Sequence, residues 1–435
     1  MCNADGTGKE SKEATKGGRM TAVRYLSLFS GIGGLEHPTI PPLTFCERDS
    51  ACQGVLQQRH PEVSVCPDVN QLLAPPKAEI VVGGWPCQDL SSAGTLGGIN
   101  AARSGLFFEM LRIAKASGAH TLIGENVPNL LTINRGQDFQ LVLDALLANE
   151  YRFISWRVLN ARAFGLPQER RRLFVVASTE RECAAALHSA LPEPTTSRSS
   201  GLASGFYWTG GKRSICFSSG YVPALKIGAT DNRGRAPVAI MLGDQVRKLT
   251  PLEFLGLQGF HDFPTDGLSS STILRMAGNA VPVPMGHFAL TAVVSRAPMT
   301  GMRTAFGITA SSGMLEDGMP WVVDHKQPSL ASNLIDFVDT TSSDSLSAQA
   351  AAGLIVRSVR SGHPMPRELF QALWRLAEDR SGKLKASRGN SFEALDQLTV
   401  EVQSYRRNLP PIAEYHDDVD DEDFAPELDN EGSDD

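Results

Sequence analysis

Six short apolar runs recur along the first 180 residues, and most of them end in a glycine-rich or acidic turn. They are Val23–Phe29, Leu43–Cys46, Ile80–Val82, Thr121–Ile123, Phe153–Leu159 and Arg172–Ala177. Ser30-Gly31-Ile32-Gly33-Gly34 closes the first, Glu47-Arg48-Asp49 the second, Gly83-Gly84 the third and Gly124-Glu125-Asn126 the fourth. Between them, Leu106–Ala116 and Phe139–Leu147 carry apolar residues at helical spacing, and the former stops at Gly118. Strands alternating with helices predict a doubly wound α/β sheet. Such sheets bind ligands outside the carboxyl ends of their strands, and the unusual turns all fall at that edge.

Composition narrows the class. The chain has 435 residues, 42% hydrophobic and 20% charged, enough for two or three globular domains. No apolar run reaches the roughly 18 residues of a membrane span, and the polar stretch Met1–Met20 has no signal-like apolar centre. The seven cysteines are odd in number and irregularly spaced, with no C-x-x-C. That favours a reducing compartment over a disulfide scaffold or a structural zinc site. The expected setting is intracellular.

Charge is distributed unevenly. Residues 409–435 hold twelve acids and no Lys or Arg; with those twelve set aside, the formal charge of −7 becomes +5. Residues 195–248 carry Arg198, Lys212, Arg213, Lys226, Arg233, Arg235, Arg247 and Lys248 against Asp231 and Asp244. A basic segment of this kind suits a polyanion. The expected organisation is a disordered segment at 1–20 and a catalytic and ligand-binding domain at 21–180. A small, loop-rich basic domain follows at 181–246, and the first domain resumes at 247–296. An extension at 297–408, irregular to about 345 and helical over Ala348–Arg360 and Arg367–Ala386, leads to an acidic disordered tail at 409–435.

Several turns carry chemistry. The glycines after Phe29 let backbone approach a ligand closely. Glu36 occupies the third glycine position of G-x-G-x-x-G, so the dinucleotide fingerprint fails, and no G-K-[ST] exists. Glu47, at the end of the next strand, can take ribose hydroxyls, and Asp68 an adenine amine. Together they suggest an adenosine-bearing ligand. Cys87, in Gly83-Gly84-Trp85-Pro86-Cys87-Gln88, is poised at a strand end before a Ser/Gly-rich stretch, Ser91 to Gly105. A thiol of pKa about 8.5 is an intrinsically strong nucleophile. The zinc-deaminase spacing is absent, so nucleophile is favoured over metal ligand, and no metal is implied. Glu125 offers a carboxyl that burial can turn into a proton donor. Gln168-Glu169-Arg170-Arg171-Arg172 offers guanidinium groups.

In this order the residues resemble the cytosine-C5 DNA methyltransferases. The resemblance runs from Tyr25 to about His287. Ser27-Leu28-Phe29-Ser30-Gly31-Ile32-Gly33-Gly34-Leu35-Glu36 resembles the first motif, Phe45-Cys46-Glu47 and Pro67-Asp68-Val69 the second and third, and Pro86-Cys87-Gln88 the catalytic motif. Arg103-Ser104-Gly105-Leu106-Phe107, Glu125-Asn126-Val127 and Gln168-x-Arg170-x-Arg172 follow. Arg247-Lys248-Leu249-Thr250-Pro251 resembles the ninth motif and Gly278-Asn279-Ala280-Val281 the tenth. The ordered set is far more specific than any one motif.

The resemblance implies a Rossmann-like mixed sheet that binds S-adenosyl-L-methionine, with a small target-recognition domain at about 181–246. Phe29, Gly31, Ile32, Gly33, Gly34, Glu47, Asp68, Val69, Pro86, Leu106 and Asn279 would hold the cofactor. Cys87, Glu125, Arg172 and Arg170 would form the catalytic set. Cys87 would attack C6 of a flipped-out cytosine, Glu125 would bind N3 and the exocyclic amine, and Arg172 would hold O2. Gln88, Ser91, Lys212, Arg213, Arg233 and Arg235 would meet double-stranded DNA, with the enzyme monomeric on it. One departure stands out: His37-Pro38-Thr39-Ile40-Pro41-Pro42 breaks the helix expected after the first motif.

Three other readings compete. A tRNA cytosine-C5 methyltransferase would show a Cys-Phe-Thr stretch, of which Ile215-Cys216-Phe217-Ser218 is a loose echo. A catalytically silent DNA-binding regulator is disfavoured by Cys87, Glu125 and Arg172 standing together. A nicotinamide-dependent oxidoreductase is disfavoured by the failed glycine fingerprint. The sequence does not name a target site.

Overall fold

The structure, a computed structural model, describes residues 23–37, 39–86, 105–193, 203–208, 215–225, 238–305, 311–325, 333–342, 344–378, 395 and 398–412. Its strands are β1 (Tyr25–Leu28), β2 (Thr44–Cys46), β3 (Ser64–Cys66), β4 (Ile80–Gly84), β5 (Thr121–Asn126), β6 (Phe153–Asn160), β7 (Gln168–Glu169), β8 (Arg171–Ser178), β9 (Ala203–Trp208), β10 (Ile215–Ser219), β11 (Val222–Pro223), β12 (Val238–Leu242), β13 (Gln245–Lys248), β14 (Met302–Ala305), β15 (Ser312–Glu316) and β16 (Met319–Asp324). The helices are α1 (Ser50–Arg59), α2 (Leu106–Ser117), α3 (Gln137–Ala148), α4 (Arg181–Ala185), α5 (Pro251–Gly256), α6 (Ser270–Asn279), α7 (Val283–Ser295), α8 (Ala348–Ser361), α9 (Arg367–Ala377) and α10 (Thr399–Arg407).

Among the described residues, ten strands form one sheet in the order β14-β16-β15-β6-β8-β5-β4-β1-β2-β3. The run from β3 to β5 is parallel. β8 is antiparallel to both β5 and β6, which makes the sheet mixed. Successive side chains point to opposite faces. Leu26, Leu28, Val81, Leu122 and Val175 pack against α2 and α3 through Phe107, Met110, Phe139 and Leu143. Tyr25, Ile80, Val82, Ile123, Phe174 and Val176 pack against α7 through Met285, Ala289 and Leu290. Burial on both faces explains why these strands read as continuous apolar runs. The sheet is therefore the doubly wound, Rossmann-like architecture expected. Strand order reverses between β1 and β4, which places the ligand crevice at their carboxyl ends.

The basic region, read from sequence as loop-rich, contains a four-stranded sheet, β10-β9-β12-β13, joined antiparallel. One face, with Tyr207, Val238 and Ile240, packs on Phe254, Phe260 and Ile273. The other, with Phe206, Ile215, Phe217 and Met241, packs on α8 and α9 through Leu354, Ile355, Leu369 and Phe370. The C-terminal helices thus close the core of this small sheet.

Two other expectations are corrected. The stretch expected to be irregular, 297–345, contains β14, β15 and β16, which extend the main sheet from β6. Asp317 (φ 46°) and Gly318 (φ 84°) form the two-residue turn between β15 and β16. Both residues are left-handed, as a primed hairpin turn requires. α6 and α7 are separate helices, broken at Ala280–Pro282. The helix expected to reach Ala386 ends at Ala377, where Glu378 is extended. No described helix is long and apolar enough to cross a membrane.

Candidate active site

The carboxyl edge is assembled turn by turn. After β1 the chain bends through left-handed Phe29 (φ 53°), Gly31 (φ 54°) and Gly33 (φ 89°). The N–H of Gly31 donates to Glu47 Oε2 at 2.7 Å, and the N–H of Asp49 donates to Glu47 Oε1 at 2.7 Å. Glu47 therefore ties the glycine turn to the turn after β2. Asp49 caps α1 by accepting from Ala51 and Cys52. Asp68, after β3, accepts from the backbone and side-chain amides of Asn70, both on Oδ1, and these bonds hold its carboxyl below the usual range. Arg112 on α2 donates to the carbonyls of Val69 and Leu72, fixing that turn.

Phe29, Gly31, Glu47 and Asp68 are half-buried at this edge, Leu106 is half-buried, and Pro86 and Asn279 are exposed. Other expected cofactor residues could offer only backbone. Ile32 is buried, its side chain in the core with Phe254 and Phe260. Val69 is buried against α2. Gly34 lies against the carbonyl of Val281, where a Cβ would stand 2.2 Å from that oxygen. This contact carries the segment after Asn279 onto the glycine turn.

β4 and β5 pair Gly84 with Glu125. A Cβ on Gly84 would stand 2.8 Å from Glu125 Oε2, so the carboxylate overlies the end of β4. Asn126 Nδ2 donates to the carbonyl of Trp85 at 3.1 Å, fixing the backbone two residues before Cys87. Arg172 Nε lies 3.0 Å from Glu125 Oε1, with side-chain exposures of 17% and 11%. Burial pushes the Glu125 carboxyl up, against the pull of Arg172 and Arg170. A partly desolvated carboxyl beside a guanidinium can hold a proton, or hydrogen-bond a planar heterocycle edge.

Arg170, expected in the catalytic set, is 1% exposed. Nη1 donates to the carbonyl of Leu225 at 2.8 Å, and Nη2 to those of Gly278 at 2.9 Å and Ala280 at 2.7 Å. Its donors bracket Asn279 and reach the small-sheet side rather than the space above β4. Gln168 makes a parallel tie: Nε2 donates to the carbonyl of Leu257, and Oε1 accepts from Leu225 N–H. Arg247, counted above in the basic segment, is also buried, in a two-pronged pair with Glu253. Cys87, Gln88, Ser91, Lys212, Arg213, Arg233 and Arg235 lie outside the described residues, as do Arg198 and Lys226. Sequence reading passed over Glu36, a buried carboxylate that accepts from Ser27 Oγ and Leu35 N–H. Its one visible signal was an acid where a glycine would complete the fingerprint.

A family model for C-5 cytosine-specific DNA methylases matches residues 23–207. The Bacillus subtilis Type II methyltransferase M2.BsuMI is 32% identical over 286 residues, covering 60% of this chain and 72% of that protein. The chain belongs to the C-5 cytosine-specific DNA methylase family. A Type II methyltransferase from a Bacillus species, M.Bsp6I, is 27% identical over 303 residues, 60% of this chain and 96% of that one. A solved Spodoptera frugiperda DNMT2 mutant aligns with 15% identity and TM-score 0.45 over 62% of this chain and 99% of that one, a likeness too weak to rest anything on. This DNA cytosine-C5 methyltransferase brings its glycine turn, Glu47, Asp68 and the Glu125–Arg172 pair to one sheet edge.

Proposed function

We propose that S-adenosyl-L-methionine lies across the carboxyl ends of β1 to β4, and that Cys87 is the nucleophile of methyl transfer to cytosine C5 in double-stranded DNA. The residues fit such a group. Each Glu47 oxygen accepts one backbone N–H and has a further lone pair for a ribose hydroxyl. Asp68 Oδ2 takes neither Asn70 bond and suits an adenine amine. Phe29 supplies an apolar surface, with Leu106 and Pro86, while Gly31, Ile32, Gly33, Gly34 and Val69 supply backbone. Asn279 closes the far side. When bound, the cofactor supplies an electrophilic methyl group on a sulfonium.

The protein's part is to make C5 reactive. C5 of cytosine is a poor nucleophile until a thiolate adds at C6. Cys87 forms a bond to C6, and the ring electron pair moves toward C5 and N3. Glu125 holds the proton at N3 and accepts from the exocyclic amine, and Arg172 donates to O2. Arg170 keeps Arg172 and Asn279 in register. After transfer, a base takes the C5 proton and the thiolate leaves C6, restoring the ring. C6 is shielded within a stacked duplex, so the cytosine must be flipped out. The basic residues Lys212, Arg213, Arg233 and Arg235, with Gln88 and Ser91, meet the DNA in a monomeric complex. Affinity should fall steeply with salt.

The Glu125–Arg172 pair, lying over Gly84 three residues before Cys87, carries this reading. The test is methyl transfer from labelled S-adenosylmethionine to mixed-sequence DNA and to tRNA, with Cys87→Ser as control. Mapping of 5-methylcytosine at base resolution follows. Label in DNA that vanishes with the variant supports the reading and gives the target site. Label confined to tRNA would move the substrate to RNA, and full activity in Cys87→Ser would remove the nucleophile.

A further inference from the structure

The glycine turn after β1 is tied to β2 and the turn beyond it by the Ser30 N–H on the Cys46 carbonyl and the Gly31 N–H on Glu47. Phe29, Gly31 and Gly33 are all left-handed, and the described residues of the 37–42 segment form no helix. A turn this rich in glycine loses conformational freedom when a ligand orders it, which weakens binding unless something holds it beforehand.

Arg59 reaches it from behind. It lies in the last turn of α1, and its Nη1 donates to the carbonyl oxygen of Ile32 at 2.6 Å. A Cβ on Gly33 would stand 3.2 Å from the same nitrogen. The guanidinium carbon sits 5.6 Å from the ring centroid of Phe260, beyond α5. Glu36, buried two residues beyond Gly34, feels the same charge. One side chain thus joins α1, the glycine turn and the segment that follows the small sheet. A second pair braces α1 in the same direction, Arg275 Nη1 on Asp49 Oδ2 at 2.7 Å.

We propose that Arg59 is a positioning residue for the cofactor: it fixes the Ile32–Gly33 peptide so that the Gly31 N–H and Glu47 are set before the ligand arrives. The inference rests on the reading that this edge holds S-adenosylmethionine. Arg59 meets the turn at the Ile32 carbonyl, so it acts through the backbone and touches no reacting atom. A charge-assisted bond to a carbonyl is stronger than a neutral one and is directional, which suits holding one peptide plane.

The test uses the full chain without DNA. Binding of S-adenosylmethionine is measured by calorimetry for wild type, Arg59→Met and Arg59→Lys, alongside DNA binding by fluorescence anisotropy and thermal melts. Methionine keeps the stem and its packing but loses the donor; lysine restores a charged donor. The expected result is cofactor affinity weakened about tenfold in Arg59→Met, with DNA affinity within about twofold of wild type, and most of the loss recovered in Arg59→Lys. Wild-type cofactor affinity in Arg59→Met overturns the proposal. So does a parallel loss of cofactor affinity, DNA affinity and melting temperature that lysine does not rescue, which would make Arg59 a support of the fold at large. Wild-type protein that fails to bind the cofactor at all would sink the cofactor reading first, and this inference with it.

Discussion

Gly34 and Gly286 meet backbone to backbone: a Cβ on Gly286 would lie 2.2 Å from the carbonyl oxygen of Gly34 and 2.7 Å from the Cα of Leu35. The first residue ends the glycine turn after β1 and the second lies in α7, so the contact seats α7 on the carboxyl edge of the sheet. Neither backbone can retreat cheaply, because α7 packs its Met285, Ala289 and Leu290 into the core under β1 and β4. Gly286→Ala is expected to destabilise by about 1–3 kcal/mol, as overpacking does, and to weaken S-adenosylmethionine binding more than DNA binding. Denaturant unfolding with calorimetric titration checks this. Unchanged stability and cofactor affinity would show that the two segments separate freely.

Glu125→Gln keeps the shape of the side chain and removes its proton chemistry. Loss of a positioned acid or base costs about 10²–10⁴ in rate. Methyl transfer should fall by that order while cofactor and DNA affinities stay near wild type, because Glu125 pairs with Arg172 rather than with the glycine turn. Single-turnover transfer to a DNA containing the mapped site is the measurement. A variant within about threefold of wild type would take Glu125 out of the catalytic set.

Arg247 and Glu253 form a buried, two-pronged pair, with Nη2 to Oε1 at 2.6 Å and Nη1 to Oε2 at 2.9 Å. Thr250 and Asp339 N–H groups add to the same carboxylate. Burial pushes the Glu253 carboxyl up, but the bonds from Arg247 and the two amides outweigh it and hold the group below its usual range. Its stabilisation is thus present above the unfolded carboxylate pKa of about 4.3 and is lost as pH falls through the lower folded value. Breaking such a pair costs about 3–5 kcal/mol, because the remaining charge stays buried. Glu253→Gln should lose stability of that order at neutral pH, keep the salt slope of DNA binding, and show a flatter acid limb. Arg247→Met should keep that slope too, and a reduced slope in Arg247→Met would return Arg247 to the DNA face.

The placement of the edge residues was legible because it is local. Glu47, Asp68 and the glycine turn each follow a strand within a few residues and Glu125 is the last but one residue of β5, and a strand's end fixes where such side chains sit. The fate of the arginines was not legible. Arg170 donates to carbonyls 55, 108 and 110 residues away, and those distances appear only after the sheet is wound. A basic residue in a polar stretch reads as surface, yet Arg170 and Arg247 are each 1% exposed. The added hairpin did carry a signal, Asp317-Gly318 between two β-rich runs, which the irregular composition around it obscured. The two-faced core of the small sheet needed helices more than 100 residues downstream.

The hairpin is tied down by a histidine pair, and that pair predicts how it responds to acid. His188 is fully buried; its Nε2 donates to the carbonyl of Gly313 on β15 at 3.0 Å, so its Nδ1 accepts from His325 Nε2 at 3.0 Å. A proton added to His188 would set two N–H groups against each other. Burial, with His325 and Arg157 nearby, pushes His188 down to about 3, and burial pushes His325 down to about 4. Both lie below the unfolded value of about 6.5. The unfolded chain therefore binds more protons in this window, so stability is fully present above about pH 6.5 and is lost as pH falls through about 4 and about 3. His188→Gln keeps a donor for Gly313 and does not titrate. It should be less stable than wild type at neutral pH and lose less on acidification. Amide exchange at Met314 and Leu315 in wild type should speed up between pH 6 and 4 more than at Leu122 or Val81 on the central strands, once intrinsic rates are divided out. Equal acid sensitivity in the variant and wild type, with β15 and the central strands opening together, would mean that the pair does not hold the hairpin to the sheet.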